Sequence, residues 1–318
     1  ISHMAGDWGG HLPAVYGHEA AGIITGIGTD VSYYKIGDTV LVTLIRSCGE
    51  CISCSTGKPT CCETRYDVVS GPLQTLGGGA MQQGLATGAF AEKVVVDQSQ
   101  IQTIPEDISM ASASLLACGV ITGMGAVTNT AQVSTGSTVV VIGAGGVGLN
   151  AIQGAAIAGA SKIIAIDVSK EKLDAAKEFG ATDGILTSEE KPYRIVKKMT
   201  GGRGVDYVFV TVGSIPAYES ASRFLSVGGS VVMVGMPPSG AKVAIEPVIL
   251  ATTSQSLLGS YMGSSVLKKD IPVLIDLYKQ GRLKLDELVT RKYSLNEINE
   301  AVNDVKLGNT RRNVIVFD

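Results

Sequence analysis

The stretch TVVVIGAGGVGLNAIQGAAIAGASKIIAID, residues 138–167, decides the fold class. Its opening, TVVVI, is an apolar β-branched run of strand length. Its middle, LNAIQGAAIAGA, has helical composition, and its end, KIIAID, is a second strand run. Gly143, Gly145 and Gly148 stand as GxGxxG between the first strand and the helix. That context separates the motif from a chance spacing of three glycines. Residues 139–161 carry no charge, but their six glycines and strand-then-helix division read as a buried α/β unit, not as a membrane span.

Downstream, VDYVFVTV (205–212) and SVVMVG (230–235) repeat the apolar strand character, and KEKLDAAKEFG (170–180) reads as a helix between strands. Alternating strand and helix predicts a parallel sheet covered on both faces, a doubly wound α/β domain of Rossmann type. The glycine turn then acquires a chemical meaning. Its first glycine permits the tight turn, its second lets the backbone approach a pyrophosphate, and its third lets helix and strand pack closely. Gly143, Gly145, Gly146, Val147 and Gly148 are therefore candidate dinucleotide-binding positions, with helix-terminal N–H groups facing the anion. Asp167 ends the next strand, where a carboxylate accepts hydrogen bonds from the adenosine ribose hydroxyls. A carboxylate there repels a 2′-phosphate, and Val168 and Ser169 follow it in place of an arginine. The expected cofactor is NAD.

Upstream, to about Ile104, the chain reads as short β-rich runs broken by glycines: AGIITGIG (21–28), TVLVTLI (39–45) and AEKVVV (91–96). Within this part lies CGECISCSTGKPTCC (48–62). Cys48, Cys51, Cys54 and Cys62 fall at C-x2-C-x2-C-x7-C, a set that closes a zinc tetrahedron and leaves no position for substrate, hence a structural zinc site. An iron–sulfur cluster also takes four thiolates, but the spacing differs from the ferredoxin patterns. Cys61 reads as a bystander, or as an exchange partner for Cys62. Toward the end come two helices, DIPVLIDLYKQG (270–281) and one near SLNEINEAVNDVKLG (294–308), then the strand RNVIVF (312–317).

The bulk numbers limit the partners. A chain of 318 residues with 45% hydrophobic positions is long for one core and predicts two domains. A net charge of −3 without a Lys/Arg cluster argues against nucleic acid or an anionic membrane as the main partner and favours a small molecule. Clustered cysteines in an enzyme read as metal ligands in a reducing cytoplasm.

Together, GHEAAGIITGIGTDV (17–31), the four-cysteine lobe, GAFAEKVVVD (88–97), ACGVITGMGAV (117–127), the glycine turn, GGRGVDYVFVTVG (201–213) and RRNVIVF (311–317) resemble the zinc-containing medium-chain alcohol dehydrogenase family almost end to end. The resemblance implies a GroES-like β-rich catalytic domain built from residues 1–119 and 260–318, with the NAD-binding Rossmann domain at 120–259 between them. It implies a catalytic zinc held by His18 and Cys118, with Glu19 as neighbour or alternate ligand, and it places Lys172 at the adenosine ribose and Arg312 near the pyrophosphate. It also implies a homodimer or homotetramer, with VAIEPVILAT (243–252) resembling the edge that joins subunits. The family's third zinc-ligating cysteine, counted back from His18, falls upstream of Ile1, so the expectation is an N-terminally shortened chain with weakened turnover. His3 lies near the family's proton-relay position, one residue out of step. The implied reaction is hydride transfer between an alcohol and NAD. The alternatives are a non-catalytic NAD- and zinc-binding chain with a partner or regulatory role, and a zinc-free quinone reductase of the same superfamily.

Overall fold

The computed structural model describes residues 2–188, 191–308 and 310–317, without the side chains of Ser2 and His3. The His3 side chain therefore lies outside the described residues. Two compact units form: one holds Gly9–Gly119 and the chain from Ser265 onward, the other Ser2–Trp8 and Val120–Ser264.

The first unit is built on short strands. β1 (Glu19–Ile23) pairs antiparallel with β2 (Thr39–Thr43), which pairs antiparallel with β3 (Ile101–Thr103). Val40, Leu41 and Val42 are all buried, so β2 is the centre of this layer. The cysteine lobe carries only a one-turn helix, α1 (Ile52–Ser55), and a 3-10 turn, neither with a buried residue. The run Ala91–Val96 forms no strand, contrary to its β-branched composition. The buried Gln83 side chain donates to the carbonyl of Val95 (2.7 Å) and to that of Thr87 (3.1 Å), so a side chain takes bonds that a ladder partner would have made. In the C-terminal part, Leu267–Lys279 and Ile298–Leu307 are helical, and Val289–Tyr293 pairs in parallel with Arg312–Ile315.

The second unit is a six-stranded parallel sheet. Its strands are β4 (Thr138–Ile142), β5 (Lys162–Asp167), β6 (Asp183–Leu186), β7 (Val205–Val210), β8 (Leu225–Met233) and β9 (Ser256–Gly259), in the order β9-β8-β7-β4-β5-β6. Helices α2 (Gly146–Ile157), α3 (Lys170–Glu178), α4 (Pro192–Met199) and α5 (Ile215–Ala221) connect the first five. β4 lies between β5 and β7, so the strand order reverses beside it, at the place where open α/β sheets bind ligands. The uncharged stretch is thus one buried strand and one largely buried helix. Another run, Met110–Thr130, is long and apolar enough to cross a membrane, and 83% of its most apolar window is buried inside the protein, as befits a core helix.

One polar contact fixes β4 against β7. Asp206 Oδ2 accepts from the N–H (2.8 Å) and the hydroxyl (2.8 Å) of Thr138, and its Oδ1 pairs with Arg203 at 2.8 Å. Partial burial pushes the Asp206 carboxyl upward, but the Arg203 guanidinium and the Thr138 donors outweigh it and hold the pKa below the usual range. A depressed folded-state pKa contributes stability above the unfolded value of about 3.9, and that contribution vanishes as pH falls through the lower folded value. Asp206→Asn should therefore destabilise the chain by ~1–2 kcal/mol near neutrality. The gap from the unsubstituted chain should shrink on acidification. Thermal melts across pH check both; a constant gap would refute the role.

Candidate functional site

Three groups of residues were singled out by sequence, and each comes together in space within one unit. In the cysteine lobe, the sulfurs of Cys48, Cys51, Cys54 and Cys62 all lie within 4.8 Å of one another. Gly49 and Gly57, at φ of 80° and 78°, make the two left-handed turns that let so short a segment curl around one point. The separation of Cys48 Sγ and Cys54 Sγ is 4.0 Å. A tetrahedral zinc–thiolate centre sets its sulfurs about 3.8 Å apart, so the donors fit that ion. Backbone N–H groups already point at the sulfurs: Cys51 and Glu50 donate to Cys48 Sγ at 3.3 and 3.4 Å, and Glu63 donates to Cys51 Sγ at 3.4 Å. A hydrogen bond from the Thr64 side chain and those N–H groups pull Cys48 down to about 6. Desolvation and the neighbouring thiols push Cys54 up to about 12. Four thiolates this close repel one another, and a divalent cation removes the conflict. Cys61 is exposed and stands outside the four.

The glycine turn sits at the end of β4, beside the reversal in strand order. Gly143 has φ of 96° and its N–H donates to Ile166 O at 2.8 Å. A Cβ on Gly148 would lie 1.8 Å from the Gly143 carbonyl oxygen, so helix and turn touch backbone to backbone. Gly145 differs. Its φ is −79° and a Cβ there would meet nothing within 4 Å, so neither backbone strain nor packing in the protein requires a glycine. Gly146 and Val147 open α2. Asp167 is only 7% exposed, and its carboxylate accepts from Ala144 N (2.7 Å) and Ser169 N (3.0 Å), which ties the turn to the end of β5. The sequence reading favoured a ligand for Asp167 over a structural bond of this kind. It missed Thr211, whose hydroxyl donates to Gly143 O at 2.7 Å and Ile142 O at 3.0 Å. A lone threonine after a strand carries no motif. Lys172 lies half-buried in the first turn of α3, where its N–H donates to the Ser169 cap at 3.3 Å.

The third group belongs to the first unit: His18, Glu19 and Cys118, with one donor atom from each within 4.8 Å of the others. Glu19 begins β1, and Cys118 lies in a π-helical turn, Leu116–Val120, of the kind that recurs at functional sites. Imidazole, carboxylate and thiolate make a mixed donor set suited to zinc with a position left open. Arg312 joins this group, with Nη1 at 3.5 Å from Glu19 Oε1.

Known proteins resemble the chain along nearly its whole length. Residues 1–106 match the alcohol dehydrogenase GroES-like domain, and residues 146–280 match the zinc-binding dehydrogenase domain. The chain is 34% identical over 314 residues to an NDMA-dependent alcohol dehydrogenase of Amycolatopsis methanolica, covering 96% of this chain and 84% of that protein. It is 36% identical over 322 residues to a probable S-(hydroxymethyl)glutathione dehydrogenase of Schizosaccharomyces pombe, covering 96% and 83%. Among solved structures, benzyl alcohol dehydrogenase of Acinetobacter calcoaceticus superposes with a TM-score of 0.92 at 32% identity, covering 99% of this chain and 88% of that one. With both domains matched and the resemblance spanning nearly the whole sequence, the chain belongs to the zinc-containing medium-chain alcohol dehydrogenase family.

Proposed function

We propose that this protein transfers a hydride between an alcohol and NAD, forming an aldehyde or ketone, with zinc in two places. The observation that carries this reading is the convergence of His18, Glu19 and Cys118. Zinc bound there supplies Lewis acidity toward a hydroxyl oxygen, and oxidised nicotinamide supplies the hydride acceptor. The protein's own part is placement. His18 and Cys118 provide the nitrogen and sulfur donors, and Glu19 provides a carboxylate beside them. Gly143, Gly145, Gly146, Val147 and Gly148 offer backbone to a pyrophosphate, and the open space at Gly145 leaves it room to approach. Asp167 anchors the turn and disfavours a 2′-phosphate, with Lys172 near the ribose. Cys48, Cys51, Cys54 and Cys62 hold the second, structural zinc.

A homodimer or homotetramer is the matching assembly. β9 is an edge strand of the large sheet, and Val227, Ile245, Val248 and Ile249 nearby are exposed apolar side chains.

The expected result is about two zinc ions per chain, tighter binding of NAD than of NADP, and reduced nicotinamide formed with a panel of primary and secondary alcohols. Metal analysis, titration of both dinucleotides and the absorbance assay check these. One zinc per chain with bound NAD and no turnover would replace this reading by the non-catalytic one. No zinc at all would return the zinc-free reductase to consideration.

A further inference from the structure

The turn after β8 leaves the sheet at Met233, where pairing with β7 ends against Val210. Val210 O accepts from the N–H groups of Val234 (3.1 Å) and Gly235 (2.8 Å). The carbonyls of Gly235 and Pro237 are taken by side chains instead. Tyr218, in α5, donates its hydroxyl to Gly235 O, and Trp8 Nε1 donates to Pro237 O at 3.1 Å. The Tyr218 ring packs against the apolar core of the sheet, and burial pushes its phenol up to about 12, so it stays a neutral donor near neutrality. The same turn lies backbone to backbone on the one after β7. A Cβ on Gly213 would fall 2.5 Å from Met236 O, and one on Gly235 would fall 2.4 Å from Val212 O. Val212 in turn closes on the glycine turn, with its Cγ1 2.3 Å from where a Cβ on Gly143 would be. The turns after β4, β7 and β8 thus pack as one layer, and packing this close passes a displacement of one to the next.

We propose that Tyr218 is a positioning residue for the nicotinamide half of the dinucleotide. This rests on the reading of Gly143–Gly148 as the pyrophosphate site and of Asp167 as the ribose site. The strand order β8-β7-β4-β5 puts Asp167 on one side of the glycine turn and the turns after β7 and β8 on the other. A dinucleotide whose adenosine lies toward β5 extends its second half over those two turns, and β8 stands two strand spacings, about 10 Å, from β4. Tyr218 acts through Gly235, whose carbonyl it holds, and not on the ligand itself. Without the hydroxyl that carbonyl loses its donor and the turn relaxes, because an unpaired acceptor shifts toward water. The glycine turn and Asp167 keep their own bonds, from Gly143 N to Ile166 O and from Ala144 N to the carboxylate. The loss therefore falls on nicotinamide and spares adenosine and pyrophosphate.

Two probes separate the halves: NADH, and ADP-ribose, which carries the adenosine and pyrophosphate without the nicotinamide. In calorimetric titrations of the full chain, Tyr218→Phe should weaken NADH binding by about fivefold and leave ADP-ribose within about twofold. Both probes need the same folded protein, so partial unfolding weakens both equally and drops out of their ratio. Gly213→Ala presses on Met236 O from the other side and keeps the Tyr218 hydroxyl, and it should shift the ratio in the same direction. An unchanged ratio in Tyr218→Phe, whether both probes hold or both weaken, overturns the positioning role and leaves the cofactor reading intact. If the unsubstituted protein binds neither probe, the cofactor reading fails and takes this role with it.

Discussion

Cys54→Ser will cost the protein one equivalent of zinc and the order of residues 48–62. The lobe has no buried residues in its two helical turns, so almost nothing apolar holds it closed. With the proposed zinc in place its stability comes from metal binding, which in small four-ligand zinc units amounts to about 10–16 kcal/mol of apparent free energy. Removing one thiolate from a closed tetrahedron leaves three ligands and water. Metal analysis should fall by one ion per chain, protease should cut within the lobe, and the thermal midpoint should drop by roughly 2–4 °C for each kcal/mol lost. Cys61→Ser, outside the four, should leave all three measurements unchanged. A Cys54→Ser protein with undiminished zinc would show that the thiols gather for another reason.

The second large effect separates two glycines of one motif. Gly148→Val should unfold the second unit or lower its stability by several kcal/mol, because the new Cβ falls 1.8 Å from the Gly143 carbonyl oxygen and neither backbone can retreat. Gly145→Val should leave the fold within about 0.5 kcal/mol of the original, since nothing lies within 4 Å of its Cβ and φ of −79° suits valine. Its dinucleotide affinity should nevertheless fall by about two decades, or ~2.8 kcal/mol, because the branched side chain occupies the approach to the pyrophosphate. Thermal melts and NAD titration on both variants give the comparison. Undiminished NAD binding by a folded Gly145→Val protein would remove the glycine turn as the cofactor site.

Much of this was legible because it is local. The spacing of four cysteines within fifteen residues forces their sulfurs near one another once Gly49 and Gly57 turn the chain. The GxGxxG turn and Asp167 are joined by a single strand–helix–strand unit, so their meeting follows from secondary structure alone. The apolar runs of β4, β5, β7 and β8 announce strands buried on both faces. The edge strands β6 and β9, four residues each, lack that signal because an edge is short and half covered. Residues 91–96 misled in the opposite sense: their β-branched composition needs a strand partner, and Gln83 takes the bond of Val95 instead.

By itself, then, the sequence determined the two-domain α/β class, the four-thiolate lobe and the glycine turn with its carboxylate, each a matter of residues close in the chain. The meeting of His18, Glu19 and Cys118 was expected only through the family resemblance, and only the tertiary structure decided that Thr211 braces the turn and that Arg312 lies against Gly119 and Glu19. Those contacts join residues up to some three hundred positions apart, and no local propensity encodes them; they form when strand pairing and burial of apolar side chains bring distant segments together.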